Sequence, residues 1–109
     1  MEAKTARSAD IAAIPIAAGT WRKTITWGEH TLVSEVTLER GGIVPRHSHP
    51  HEQTGYVVSG AIEFTLGDRA VVLRAGEGYL IPGNLPHSCL AFEDSVAIDI
   101  FSPVREEYK

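Results

Sequence analysis

The segment His47-Ser48-His49-Pro50-His51-Glu52-Gln53 gathers several metal-ligating side chains, and Pro86-His87 supplies another from further along the chain. On a β-strand, residues at i and i+2 point to one face. A strand through this segment therefore aims the imidazoles of His47 and His49 at one point, which is what a bound cation needs. The surrounding chain is expected to build a container for that point.

At 109 residues the sequence has room for one core and one domain. A chain of this length buries a little under ~70% of the surface its unfolded form exposes, enough for stability without disulfides. The single cysteine, Cys89, excludes an internal disulfide framework and fits a reducing compartment. A net charge of −4 with scattered signs offers no basic stripe, so nucleic acid is not an expected partner. No run approaches the ~18 consecutive apolar residues of a membrane-spanning helix, and no membrane partner is expected. Near the N-terminus, Lys4 and Arg7 precede the apolar stretch from Ile11 to Gly19, a faint echo of a secretory signal. Glu2, Asp10 and the mid-stretch Pro15 argue against that reading. The expectation is a cytoplasmic protein with a flexible lead-in over residues 1–13 and a single barrel domain over 14–109.

From Thr20 onward the chain reads as short strands with no helical period, the pattern of an all-β fold. The expected strands are Thr20–Trp27, Thr31–Glu39, Ile43–His49, Gln53–Ser59, Ala61–Leu66, Ala70–Arg74, Tyr79–Ile81, His87–Phe92 and Val96–Ser102. Gly28-Glu29, Gly41-Gly42, Ser59-Gly60, Gly67-Asp68, Gly76-Glu77-Gly78 and Pro82-Gly83-Asn84 separate them, with Gly, Asn and Asp available for positive-φ turn positions. Many short strands at even spacing point to a sandwich or a double-sheet barrel. In the last strand Val96, Ile98 and Ile100 form one face, and Ala97, Asp99 and Phe101 the other. Periodicity does not say which face is inside. On an interior face Asp99 sits in a cavity; on an outer face it is an ordinary surface charge.

Two spaced patterns carry more. One runs Gly41, five residues, His47-x-His49, three residues, Gln53, six residues, Gly60; the other runs Gly76, five residues, Pro82-x-Asn84, two residues, His87. Together they resemble the two motifs of the cupin superfamily. The resemblance implies a small double-sheet, jelly-roll β-barrel with a metal held inside by residues of both motifs. It implies a ligand set of His47, His49, Gln53 and His87 for one divalent transition metal: Zn, Ni, Mn, Fe or Cu. This chain departs from the family pattern in three places. Gln53 stands where a glutamate ligand is common, Asn84 where glycine is common, and Ala91 where asparagine is common. Asparagine tolerates the left-handed conformation that a glycine turn position demands. The amide at Gln53 leaves the ion's charge uncancelled, which favours Lewis-acid work and capture of an anionic substrate. It also departs from the two-His, one-carboxylate arrangement of iron oxygenases.

A narrower resemblance lies at the C-terminus. Asp99-Ile-Phe101-Ser-Pro103-Val-Arg105-Glu-Glu-Tyr108, following the histidine segment, is similar to the pectin-degradation cupins. Those proteins convert 4,5-unsaturated monouronates from pectin and alginate into the linear keto form. The resemblance implies Asp99 as a catalytic proton shuttle, Arg105 as a catalytic and substrate-binding clamp for the uronate carboxylate, and Phe101 as an apolar wall for the sugar. Alternative readings are a metal-dependent dioxygenase or other oxidative cupin, and a non-catalytic module that binds a sugar acid.

The remaining candidates have plainer readings. Pro50 bends the chain at His51, which the family pattern passes over, so His51 is expected at the rim; Glu52 points away from Gln53 to solvent. Cys89 shares the face of His87 and is expected as a small buried apolar residue. Trp21, Trp27, Tyr56 and Phe64 are expected in the core or at a contact between copies. Small cupins often pair through N-terminal strands, so a homodimer through Ile14 to Trp27 is expected.

Overall fold

The ten strands form two antiparallel sheets that face one another. The computed structural model describes residues 1–109. In chain order the strands are β1 (Ile14–Ala17), β2 (Thr20–Trp27), β3 (Leu32–Leu38), β4 (Ile43–His47) and β5 (Glu52–Ser59), then β6 (Ala61–Leu66), β7 (Arg69–Arg74), β8 (Gly78–Ile81), β9 (His87–Ala91) and β10 (Ser95–Ser102). The larger sheet has the order β1-β2-β3-β10-β5-β8, the smaller β4-β9-β6-β7. Short 3-10 turns lie at Ser8–Asp10 and Glu106–Tyr108. No helix is long and apolar enough to cross a membrane.

Alternation drives the packing. On β3, Leu32, Ser34, Val36 and Leu38 are buried, and on β10, Ser95, Ala97, Asp99 and Phe101 are buried. The periodicity of the last strand left its faces equivalent, and the structure turns the Ala97, Asp99, Phe101 face inward. The main core joins Val36, Leu38, Val57, Ile62, Phe64, Leu73, Tyr79, Ile81, Ala91 and Ala97. A second cluster consists of Leu32, Phe101 and Val104, with Tyr108 packed against it. Gly60 marks the hairpin between β5 and β6, where φ is +88° and an added Cβ would lie 2.1 Å from Ser95 Oγ. No other residue type fits there without moving the chain.

One boundary differs from the sequence expectation in a way that matters for the site. β4 ends at His47 rather than His49, so His49 is carried by the connection to β5 and not by strand alternation. Pro50 explains this, because the residue before proline and the missing N–H oppose continued pairing. A further strand, β1, pairs with β2 along the sheet edge. Ahead of it, Ser8 Oγ donates to Glu35 at 2.7 Å and Lys23 Nζ donates to the Ser8 carbonyl at 2.8 Å.

Candidate metal centre

His47 closes β4 and His87 opens β9, and the two are direct cross-strand partners. His49 follows from the β4–β5 connection. That connection is tied to the turn ahead of β9, where the Asn84 N–H donates to the His49 carbonyl at 2.7 Å. Asn84 sits at φ 68°, the left-handed conformation that glycine or asparagine adopts most readily. Gln53, on β5, is buried between Phe101 and Ile81 of the neighbouring strands.

Each of the three histidines has Nδ1 on a backbone carbonyl two residues away. His47 meets Pro45 O at 2.8 Å, His49 meets His51 O at 3.1 Å, and His87 meets Leu85 O at 2.7 Å. A carbonyl only accepts, so Nδ1 carries the proton in each neutral ring and Nε2 is left with its lone pair. This is the tautomer a metal-binding histidine needs, fixed by its own backbone. Ligand nitrogens from the three rings lie within 4.8 Å of one another, and His87 Nε2 is buried with no hydrogen-bond partner. His49 Nε2 stands 3.0 Å from Gln53 Oε1. With Nδ1 protonated, those two atoms are both acceptors, an arrangement that a cation between them would relieve. Three imidazoles and an amide oxygen converging in this way fit a divalent transition ion.

Burial holds His49 and His87 in the neutral form at physiological pH. Burial lowers the His87 pKa to about 4, against a partly opposing bond to Leu85, with the neighbouring His47 and His49 pushing it further down. Burial lowers His49 as well, and the Arg105 charge acts in the same direction.

Acidic and cationic groups complete the cavity. Its volume is about 50 Å³, and its lining includes His47, Gln53, His87, Asp99, Phe101 and Arg105. Burial raises the Asp99 pKa, while hydrogen bonds from Tyr79 and Gln53 and the Arg105 charge pull it back. Tyr79 O–H donates to Asp99 Oδ1 at 2.5 Å. Burial and the adjacent Asp99 carboxylate push the Tyr79 pKa well up, so the phenol remains a donor. The Arg105 side chain is 12% exposed, placing it where the cavity meets solvent, and its Nε donates to Glu107 at 2.7 Å. Its guanidinium lies 5.1 Å from the Phe101 ring centre and 4.0 Å from that of Tyr108. Phe101 is 2% exposed and packs edge-on to His49, with centroids 5.5 Å apart, so it is both core and cavity wall.

Two tyrosines, Tyr79 and Tyr108, also line the cavity. Tyr79 read only as the start of a strand. Tyr108 was only part of the C-terminal motif; Arg22 and Arg105 stack on its ring, and Thr24 Oγ1 donates to its carbonyl. Cys89 lines the cavity beside His87, and burial and Asp99 raise its thiol pKa. Glu52 is exposed as expected. His51 does not line the cavity, although its Nδ1 is buried and unpaired. Phe64 is core, Tyr56 is exposed, and neither tryptophan reaches the cavity.

Comparisons with known proteins agree with this fold. Residues 34–100 match the family model described as the cupin domain. The pectin degradation protein KdgF of Dickeya dadantii is 34% identical over 92 residues, covering 83% of this chain and 84% of that protein. A germin-like protein of Arabidopsis thaliana is 33% identical over 78 residues, 64% of this chain but only 37% of its own length. The structure of KdgF from Halomonas sp. superposes with a TM-score of 0.93 at 29% identity, covering 99% of this chain and 100% of that one. An RmlC-like cupin from Shewanella frigidimarina superposes at 0.92 with 23% identity over 99% and 97% of the two chains, a likeness of fold. By its matched domain, its fold and its relatives, this chain belongs to the cupin family and is a homologue of the pectin-degradation cupin KdgF.

Proposed function

We propose that the protein opens the ring of 4,5-unsaturated monouronates and tautomerises them to the linear keto form. One observation carries the reading: a single cavity is lined by His47, His87, Asp99 and Arg105, in a homologue of a pectin degradation protein. The reaction is an isomerisation, so it needs no oxidant and no co-reactant. A base takes the proton from the anomeric hydroxyl, the bond from the anomeric carbon to the ring oxygen breaks, and the ring oxygen becomes an enolate. Carbon 4 then gains a proton, leaving a ketone at carbon 5 and an aldehyde at carbon 1.

Asp99 suits both proton transfers. Burial raises its pKa toward the range where a carboxyl can both take and return a proton. Arg105 presents a guanidinium at the solvent boundary, and Glu107 engages only its Nε. The rest of the fork is thereby left to grip a carboxylate through paired bonds. A volume of about 50 Å³ holds an ion and a few waters rather than a whole sugar. The substrate would thus enter with its reacting end inside and its carboxylate at Arg105. A divalent ion held by His47, His49, Gln53 and His87 would supply a Lewis acid that stabilises the developing enolate oxygen.

The test follows the ultraviolet absorbance of 4,5-unsaturated galacturonate, which disappears with the conjugated double bond. Metal-loaded protein should accelerate the loss and yield the linear keto acid by NMR. No acceleration over buffer, with binding but no product, would convert the site into a sugar-acid binding pocket. Oxygen consumption instead would mark an oxidative cupin.

A further inference from the structure

Asp99, Gly55 and Tyr79 occupy one row across three neighbouring strands. Asp99 on β10 pairs with Gly55 on β5, and Gly55 pairs with Tyr79 on β8. The outer two residues are separated by two strand spacings, roughly 9–10 Å of backbone. Yet the Tyr79 hydroxyl reaches Asp99 Oδ1 at 2.5 Å. This is possible because the tyrosine side chain leans over the middle strand. A Cβ added at Gly55 would lie 2.1 Å from Tyr79 Cζ and 2.3 Å from its Oη, so any side chain there would occupy the space the phenol uses. Gly55 has no positive φ among the glycines that do, so its turn-forming freedom is not what the position uses.

We propose that Tyr79 is a positioning residue that holds the Asp99 carboxyl in its reactive orientation, and that Gly55 is the gap through which it does so. The proposal rests on the reading of Asp99 as proton shuttle. Packing alone does not account for the contact. Stacking on Phe64, with centroids 4.3 Å apart, would serve the core equally well with phenylalanine at position 79. A buried hydroxyl costs free energy unless it is bonded, and here its acceptor is Asp99. With one carboxyl oxygen anchored, Asp99 cannot swing between rotamers during turnover, and positioning of this kind acts on the chemical step more than on binding.

The experiment compares Tyr79→Phe and Gly55→Ala with the metal-loaded wild type. Tyr79→Phe keeps the ring and loses only the hydroxyl, and Gly55→Ala displaces the ring by its new methyl group. The expected result for both is a fall in kcat of ~tenfold or more on 4,5-unsaturated galacturonate, with KM and bound metal per chain within about twofold. A smaller fall in kcat for Tyr79→Phe, or a change confined to KM or to thermal stability, overturns the proposal. A second readout needs no turnover: in metal-free protein, Tyr79→Phe should move the ¹³C resonance of the Asp99 carboxyl and leave the other carboxyls in place. An unmoved Asp99 resonance also overturns the proposal. If wild-type protein turns over no uronate, the functional reading fails, and the carboxyl resonance still decides whether Tyr79 holds Asp99.

Discussion

His47, His49 and His87 each settle Nδ1 on a carbonyl two residues away, whereas Asp99 takes its partner Tyr79 from twenty residues earlier and two strands across. One wall of the cavity is therefore built from local chain geometry and the other from sheet register. The local wall has its ring nitrogens oriented by backbone carbonyls; the register-built wall holds the buried carboxyl, the phenol and, near solvent, the guanidinium. The difference separates two properties that a single mutation can then address singly. Binding of an ion should depend on the first wall, and proton transfer on the second.

The largest expected effect comes from breaking the local wall. His87→Ala removes a buried nitrogen that has no protein partner. Even outer partners of metal ligands cost 10–100-fold in affinity, so loss of this one should weaken ion binding by more than ~100-fold, measured by calorimetric titration of the apoprotein. Retention of wild-type affinity would remove His87 from the ion site. A smaller effect should follow at the solvent end of the other wall. Arg105→Ala should raise KM for the uronate by about tenfold to a hundredfold, the worth of a hydrogen bond to a charged group, with ion affinity unchanged. Arg105→Lys should recover only part of it, since an ammonium cannot present a fork; steady-state kinetics on both variants decides.

A third, gentler contrast lies in pH. The folded His87 pKa of about 4 lies below its unfolded value of 6.5, so the unfolded apoprotein takes up the proton first. The stability this group contributes is complete above 6.5 and is lost as pH falls through that value toward 4. Asp99 works in the opposite sense, because its raised pKa makes burial of the charged form a cost that eases as pH falls. His49 is lowered in the same direction as His87, so with two histidines set against one carboxyl, apoprotein should unfold at lower urea in pH 5 than in pH 7.5 buffer, and His87→Gln should narrow that gap. An unchanged gap in the variant would show that the histidine wall does not carry the dependence.

The same contrast explains what could be read from the sequence. The histidine spacing survived the move of His49 off the strand, because the connection after β4 is short and is pinned by Asn84, whose left-handed turn was legible as a tolerance of asparagine. Alternation along β10 could pair Asp99 with Phe101 but could not say which way they faced, since Val96, Ile98 and Ile100 make an equally apolar opposite face. Tyr79 was illegible for a stricter reason. Its role exists only once β8, β5 and β10 are in register, and its one sequence trace is a glycine, Gly55, in the middle of a strand with no turn to justify it.

The division of the cavity into an ion-holding wall and a proton-moving wall is tested most directly on Asp99→Asn, with bound ion and uronate turnover measured on the same preparation. The account predicts one ion per chain at wild-type affinity and no detectable turnover above buffer. Turnover at the wild-type rate, or loss of the ion with the carboxyl, would contradict it.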